Sequence, residues 1–353
     1  MSQKVYICHT YYHLYTAILF AYREYSMCEK ISKAVLSLHV TQNQKELFEL
    51  KEVLTLNIGW LEFDFFDSYS LHMQWKELDE SSKNKWGRNE ENPYSSFINA
   101  ILAKDIHIFT SGLLTQFILK QANKVNLIAD GDYSYTYIPE IPEATKKRVS
   151  KLGFFEPYFL SPKISKIYNQ KPELLVQELQ NKSVQYSLNE LELSLPKMAK
   201  ENVINSFLES KVNFNKGVNG TKKTLIFLTS VLALDGICTE EEEVAAYEKV
   251  IAFYQAIGYQ VFIKPHPRDK GTFSKLTVNN VTLLPQYLPI EVLNLLGEEI
   301  VDLLLCFCST AVNNIMFARE VGSIFEQDDL IGDWKVAFPH VIDKHIQNKE
   351  RDY

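Results

Sequence analysis

The stretch Val261-Phe262-Ile263-Lys264-Pro265-His266-Pro267-Arg268 sets the reading of the chain. A short apolar strand is built to be buried, and each proline after it fixes φ and removes a backbone donor. The chain therefore leaves the sheet at a defined angle and presents His266, flanked by the cations Lys264 and Arg268, at a strand's C-terminal edge. In open α/β sheets that edge is where ligands bind. A rigid, cationic histidine there suits a phosphate or a phosphate leaving group. The same residues also fit a turn whose histidine is merely solvated; two prolines and two cations favour the functional reading.

Around this strand the second half of the chain alternates between two periodicities. Residues 224–228, 259–263, 281–284 and 301–307 read as strands. Thr239 and Glu242 form a capping box that opens a helix to Ile257. Further helices are expected from Pro289 and over residues 310–319. The first half repeats the pattern, with strands at 5–8, 34–40, 105–109 and 125–129 and helices at 12–25, 44–54 and 113–122. Such alternation predicts βαβ units around a parallel sheet. Residues 142–208 read as helical and polar. Asn213-Phe214-Asn215-Lys216-Gly217-Val218-Asn219-Gly220 is rich in turn residues and reads as a linker. The expected architecture is α/β: Rossmann-like domains at 1–212 and 221–330 facing a cleft, with the tail 331–353 a candidate to pack back on the first domain.

Composition narrows the function classes. A chain of 353 residues exceeds one small core, and 46% hydrophobic with 23% charged residues describes an ordinary globular protein. A net charge of −7, with no basic run interleaved with aromatics, argues against nucleic acid as a partner. The five cysteines are odd in number and lack zinc spacing; buried, reduced thiols in a cytosolic protein are the simplest reading. The polar start passes straight into a strand, which reads as no signal peptide, and charge interrupts every long apolar stretch, so no transmembrane helix is expected.

Three further constellations carry possible chemistry. In Ile128-Ala129-Asp130-Gly131-Asp132 an apolar strand ends in Asp-Gly, placing the Asp130 carboxylate where a general base would stand. A plain Asp-Gly turn fits equally well, and Asp-x-Asp also matches a short metal-binding pattern. In Cys308-Ser309-Thr310-Ala311 a buried strand stops and two hydroxyl residues open the expected helix, a natural seat for a phosphate as well as an ordinary cap. In Leu288-Pro289-Ile290-Glu291 a carboxylate falls in a first helical turn, where it could accept from two ribose hydroxyls or simply face the helix dipole.

Taken in order, Asp130-Gly131, His266-Pro267 and Ser309-Thr310 resemble the signature of bacterial sialyltransferases, most closely glycosyltransferase family 52, the lipooligosaccharide and capsule sialyltransferases. That signature has two acidic residues before the glycine, and here the first is Ala129. The resemblance implies a GT-B-type fold and no metal or other cofactor. It implies Asp130 as the base on a galactose hydroxyl and His266 at the departing phosphate. It further implies a CMP-sialic acid donor held by His266, Pro267, Ser309 and Thr310, with Glu291 on the ribose. The partners implied are that donor and a galactose-terminated glycan, with peripheral contact to the inner membrane face if the acceptor is lipid-linked. A CDP-glycerol glycerophosphotransferase, a UDP-glucose-dependent transferase of the same fold and an inactive nucleotide-sugar binder are the competing readings.

Overall fold

The computed structural model describes residues 3–37, 44–88, 90–109, 112–130, 161–208, 223–307, 314–325 and 334–351, with the single positions 159, 214, 309 and 312. The chain divides into two compact units, Met1–Asn202 and Val203–Tyr353. The linker expected at 213–220 lies, apart from Phe214, outside the described residues.

The first unit opens with β1 (Lys4–Cys8), α1 (Tyr11–Cys28), β2 (Ser32–Leu36), α2 (Gln44–Asn57) and β3 (Leu61–Phe65). Next come α3 (Ser68–Glu77), α4 (Glu80–Gly87), α5 (Ser95–Leu102), β4 (Asp105–Ile108), α6 (Leu113–Gln121) and β5 (Val125–Ile128). The series ends with β6 (Ile164–Asn169), α7 (Gln177–Gln180), β7 (Ser183–Gln185), α8 (Leu188–Ser194) and α9 (Lys197–Phe207), which runs across the division. The strands form a seven-stranded sheet in the order β3-β2-β1-β4-β5-β6-β7. Every pairing in it is parallel. β6 and β7 fall inside 142–208, which the sequence presents as helical. Their polar residues belong to strands at the sheet's margin, where only part of each strand is covered (β7 has no fully buried position). β3 was not anticipated either, although Leu61-Glu62-Phe63-Asp64-Phe65 alternates with period two as an edge strand should.

The second unit contains β8 (Lys223–Leu228), α10 (Glu240–Ala256), β9 (Tyr259–Lys264), β10 (Val281–Leu283), β11 (Val301–Cys306), β12 (Ala318–Ser323) and α11 (Trp334–Glu350). Its five-stranded sheet runs β10-β9-β8-β11-β12, all parallel. The expected capping box is present: the Glu242 backbone N–H donates to Thr239 Oγ1 at 3.2 Å, and the Thr239 N–H donates to Glu242 Oε2 at 2.7 Å. From Pro289 the chain forms a 3-10 helix over Ile290–Leu296 rather than an α-helix. The helix expected over 310–319 is also corrected: residues 315–317 are not helical, and Ala318 and Arg319 begin β12. The tail forms α11, whose Phe338, Val341 and Ile342 enter the second unit's core beside Tyr247 and Val250 of α10.

Both strand orders reverse at one point, between β1 and β4 and between β8 and β11. That is the doubly wound arrangement, and its crevice at the carboxyl ends of the strands is where such sheets take ligands. The core strands are continuous apolar runs because helices cover both faces: Val5, Tyr6, Ile7 and Cys8 are all buried, as are Val261, Phe262 and Ile263. Cys8 and Cys306 are buried as expected, whereas Cys28, at the end of α1, is exposed.

Candidate functional site

In the first unit Asp130 stands two residues past β5, one strand from the β1/β4 switch point. Its side chain is 27% exposed, and Oδ2 lies 2.8 Å from Nε2 of His13, whose own side chain is 1% exposed. His13 sits in the first turn of α1, where its backbone N–H donates to the Thr10 hydroxyl that caps the helix, at 3.1 Å. The imidazole stacks on Phe109, just past β4, with centroids 4.6 Å apart and planes 8° apart. Its Nδ1 accepts the backbone N–H of His9 at 3.2 Å, which leaves the Nε2 hydrogen to donate to Asp130. His9 is buried and follows β1 directly. One of its ring nitrogens, Nδ1, faces the Ser37 carbonyl at 3.1 Å and must donate there. Its Nε2 therefore accepts the hydroxyl of Thr115, on α6, at 2.7 Å. Three elements around the switch point thus converge on one carboxylate.

In the second unit β9 delivers His266 to the sheet edge as the sequence implies, but its electrostatics differ from the expected cationic site. The backbone N–H of His266 donates to Thr229 Oγ1, just past β8, at 2.9 Å. Its Nδ1 accepts the Arg268 backbone N–H at 3.0 Å, so the ring hydrogen sits on Nε2. Burial, with Arg268 and Lys264 nearby, pushes the imidazole down to about 4. His266 is a neutral donor. The flanking cations are engaged elsewhere: Arg268 forms a two-pronged pair with Asp235, both contacts 3.0 Å. Lys264 is buried, and its Nζ donates to the carbonyls of Pro265 at 2.6 Å and Gln286 at 3.1 Å. Burial pulls its ammonium down to about 7, against the opposing pull of Glu291.

The loop that carries His266 is closed from within. The Gln286 side-chain amide donates to the carbonyls of His266, Pro267 and Asp269 at 2.9, 3.1 and 2.8 Å. The Asp269 carboxylate takes the N–H groups of Gly271 and Thr272 at 2.6 and 2.8 Å. Glu291 is buried in the 3-10 helix, close enough for its charge to act on Lys264. Ser309 is half-buried beyond β11, so it and His266 occupy the same sheet edge on strands either side of β8. The carbonyl of Ser309 accepts the Val312 N–H at 3.5 Å. Thr310, Gly131 and Asp132 lie outside the described residues. The structure therefore groups His266, Pro267, Glu291 and Ser309 in one unit and places Asp130 in the other.

Residues 4–316 match the alpha-2,8-polysialyltransferase (POLYST) family. The chain belongs to that family. The bacterial sialyltransferase resemblance of the motifs is thereby borne out, and the fold is of GT-B type. The polysialyltransferase-family fold is similar to that of the alpha/beta-galactoside alpha-2,3-sialyltransferase of Photobacterium phosphoreum, with a TM-score of 0.50 and 14% identity over 96% of this chain and 95% of that one. It is also similar to the UDP-GlcNAc 2-epimerase of Neisseria meningitidis, with a TM-score of 0.54 and 12% identity over 99% and 91%. An uncharacterized protein of Haemophilus influenzae is 34% identical over 86 residues, a stretch that spans 24% of this chain and 27% of that protein. Among the described residues no helix is long and apolar enough to cross a membrane.

His13 escaped the sequence reading. It lies 117 positions from Asp130 and inside an amphipathic helix, where a histidine reads as packing. The available signal was the pair His9 and His13, four residues apart astride the expected strand-to-helix turn.

Proposed function

We propose that the chain is an inverting sialyltransferase that moves sialic acid from CMP-sialic acid to a terminal galactose hydroxyl of a surface glycan, in an alpha-2,3 linkage and without a metal. The observations that carry the reading are, within a polysialyltransferase-family fold, a hydrogen-bonded carboxylate at one strand exit and, in the other unit, a neutral imidazole donor at another. Asp130 removes the proton from the acceptor hydroxyl as that oxygen forms its bond to the anomeric carbon. The bond from that carbon to the phosphate oxygen breaks, and CMP departs with the electron pair. A phosphate monoester has its second pKa near about 6, so CMP leaves largely as a dianion and needs charge stabilisation more than a proton. The Nε2–H of His266 supplies a donor where that charge develops. Ser309 and Thr310 hold the phosphate, Pro267 shapes the turn beside it, and Glu291 binds the ribose.

A second reading follows from the family's description, which favours transfer onto an existing sialic acid in an alpha-2,8 linkage. One experiment separates these possibilities. CMP release from CMP-sialic acid is followed with lactose or with an alpha-2,8-linked sialyl oligomer as acceptor, each with and without EDTA. CDP-glycerol and UDP-glucose serve as parallel donors. Lactose-dependent, EDTA-resistant release supports the first reading, and oligomer-dependent release the second. Turnover of only CDP-glycerol or UDP-glucose overturns the donor assignment, and EDTA-sensitive release overturns the metal-free mechanism.

A further inference from the structure

We infer that His13 is a positioning residue: it fixes the orientation of the Asp130 carboxylate for proton abstraction. The inference rests on Asp130 being the base, as proposed above. His13 cannot itself take the acceptor's proton, because both of its ring nitrogens are committed, Nδ1 to the His9 N–H at 3.2 Å and Nε2–H to Asp130 at 2.8 Å. What it supplies is direction. A histidine receiving on one nitrogen from a rigid backbone N–H can donate only from the other, and that donor ends on the carboxylate.

The ring has no freedom to aim elsewhere. Its backbone is pinned by the Thr10 cap, one face is stacked on Phe109, and its side chain is 1% exposed. Around it, among the described residues, stand Asp130 past β5, His9 past β1 and Tyr12 beside it on α1. His9 is in turn locked by the Ser37 carbonyl and the Thr115 hydroxyl. A donor held this firmly holds the carboxylate it meets in one direction. Without it, Asp130 would lose the donor that sets its direction.

The test uses the full-length enzyme with CMP-sialic acid and the acceptor found active. H13F keeps the ring's size and stacking but removes both hydrogen bonds; H13Q restores a donor of similar reach. H13N retains an acceptor for the His9 N–H but is too short to reach Asp130, and it replaces H13F if the latter fails to fold. The expected result is a fall in kcat of about 10- to 100-fold for H13F, at or below the low end of the roughly 10²- to 10⁴-fold scale of acid–base catalysis because Asp130 is still present. KM for the donor should stay within about threefold, because the substitution leaves the groups assigned to CMP untouched. H13Q should recover most of the lost kcat. A fall in kcat with no rescue by Gln would mean that His13 only packs, and would overturn the inference. Wild-type kcat in H13F would do the same.

D130N separates this failure from failure of the underlying reading. If D130N is inactive while H13F behaves as wild type, Asp130 remains the base and only the role of His13 falls. If D130N turns over normally, Asp130 is not the base and both fall. H13F combined with D130N should lose no more than D130N alone, since His13 acts only through that carboxylate.

Discussion

The two strand exits solve the same problem by different means. At the end of β9, His266 is held by its own neighbourhood: prolines on both sides, the Arg268 N–H two residues on, and Gln286 twenty residues away on the same loop system. At the end of β5, Asp130 is held by His13, 117 positions away on α1, which depends on His9 beyond β1 and Phe109 beyond β4. One group is positioned by local covalent geometry, the other by tertiary packing. Local constraint tolerates distant change, whereas packed constraint transmits it. Damage to α1 should therefore reach the Asp130 carboxylate, while damage outside the His266 loop and its Thr229 contact should leave the imidazole in place.

The largest effect expected is at the centre of the packed exit. Asp130→Ala removes the proposed base outright and should lower kcat by about 10³-fold or more, the scale of general-base catalysis. CMP affinity, measured by calorimetry, should change little, because the groups assigned to CMP lie in the second unit. Equal losses of turnover and CMP binding would remove Asp130 from the base role. At the local exit, His266→Ala should cost about 10²- to 10³-fold in kcat, the scale of one lost donor to a developing negative charge.

The imidazole also gives the local exit a pH signature. Burial holds His266 near 4 in the folded protein, below its ordinary value of 6.5. The unfolded chain therefore binds the extra proton first as pH falls. The associated stability is fully present above about 6.5 and is lost as pH falls toward 4, a dependence that His266→Gln should flatten in thermal unfolding. In kcat/KM, no limb from this histidine should appear between pH 6 and 8; a limb there would mean that it titrates near its ordinary value.

The contrast between the exits also explains what could be read from sequence. The strand of β9 and its Pro-His-Pro exit were legible because the constraint is written in adjacent residues. The capping box at Thr239 and Glu242 was legible for the same reason. The neutral state of His266 was not, since it follows first from burial, which no local run of residues encodes. His13 was invisible as a partner of Asp130 because no local pattern encodes a contact across two strands. The expected helix after Ser309 failed differently: Asn313 and Asn314 weaken it, and strand pairing with β11 claims Ala318–Ser323. Tertiary demand overrode a weak local preference.

A smaller test probes how the local exit is closed. Gln286→Leu leaves the carbonyls of His266, Pro267 and Asp269 without their shared donor. An unsatisfied buried acceptor costs about 1–3 kcal/mol, and the loop can recover part of that by opening to water. The expected result is lower thermal stability together with a several-fold drop in kcat, because an opened loop no longer fixes the Nε2–H direction. Full stability with full activity would mean that the prolines alone hold the loop.

The smallest effect separates local structure from local function. Thr239→Ala opens the capping box at the start of α10, whose two hydrogen bonds close over three residues and touch neither strand exit. The four consecutive glutamates Glu240, Glu241, Glu242 and Glu243 still face the positive end of the helix and limit the damage. Loss of such a cap typically costs about 1 kcal/mol. Denaturant unfolding should register that shift, while kcat and the pH profile remain those of the wild type. If turnover instead fell along with stability, α10 would be transmitting strain to the His266 loop. The local exit would then depend on packing as the Asp130 exit does, and the distinction between the two would collapse.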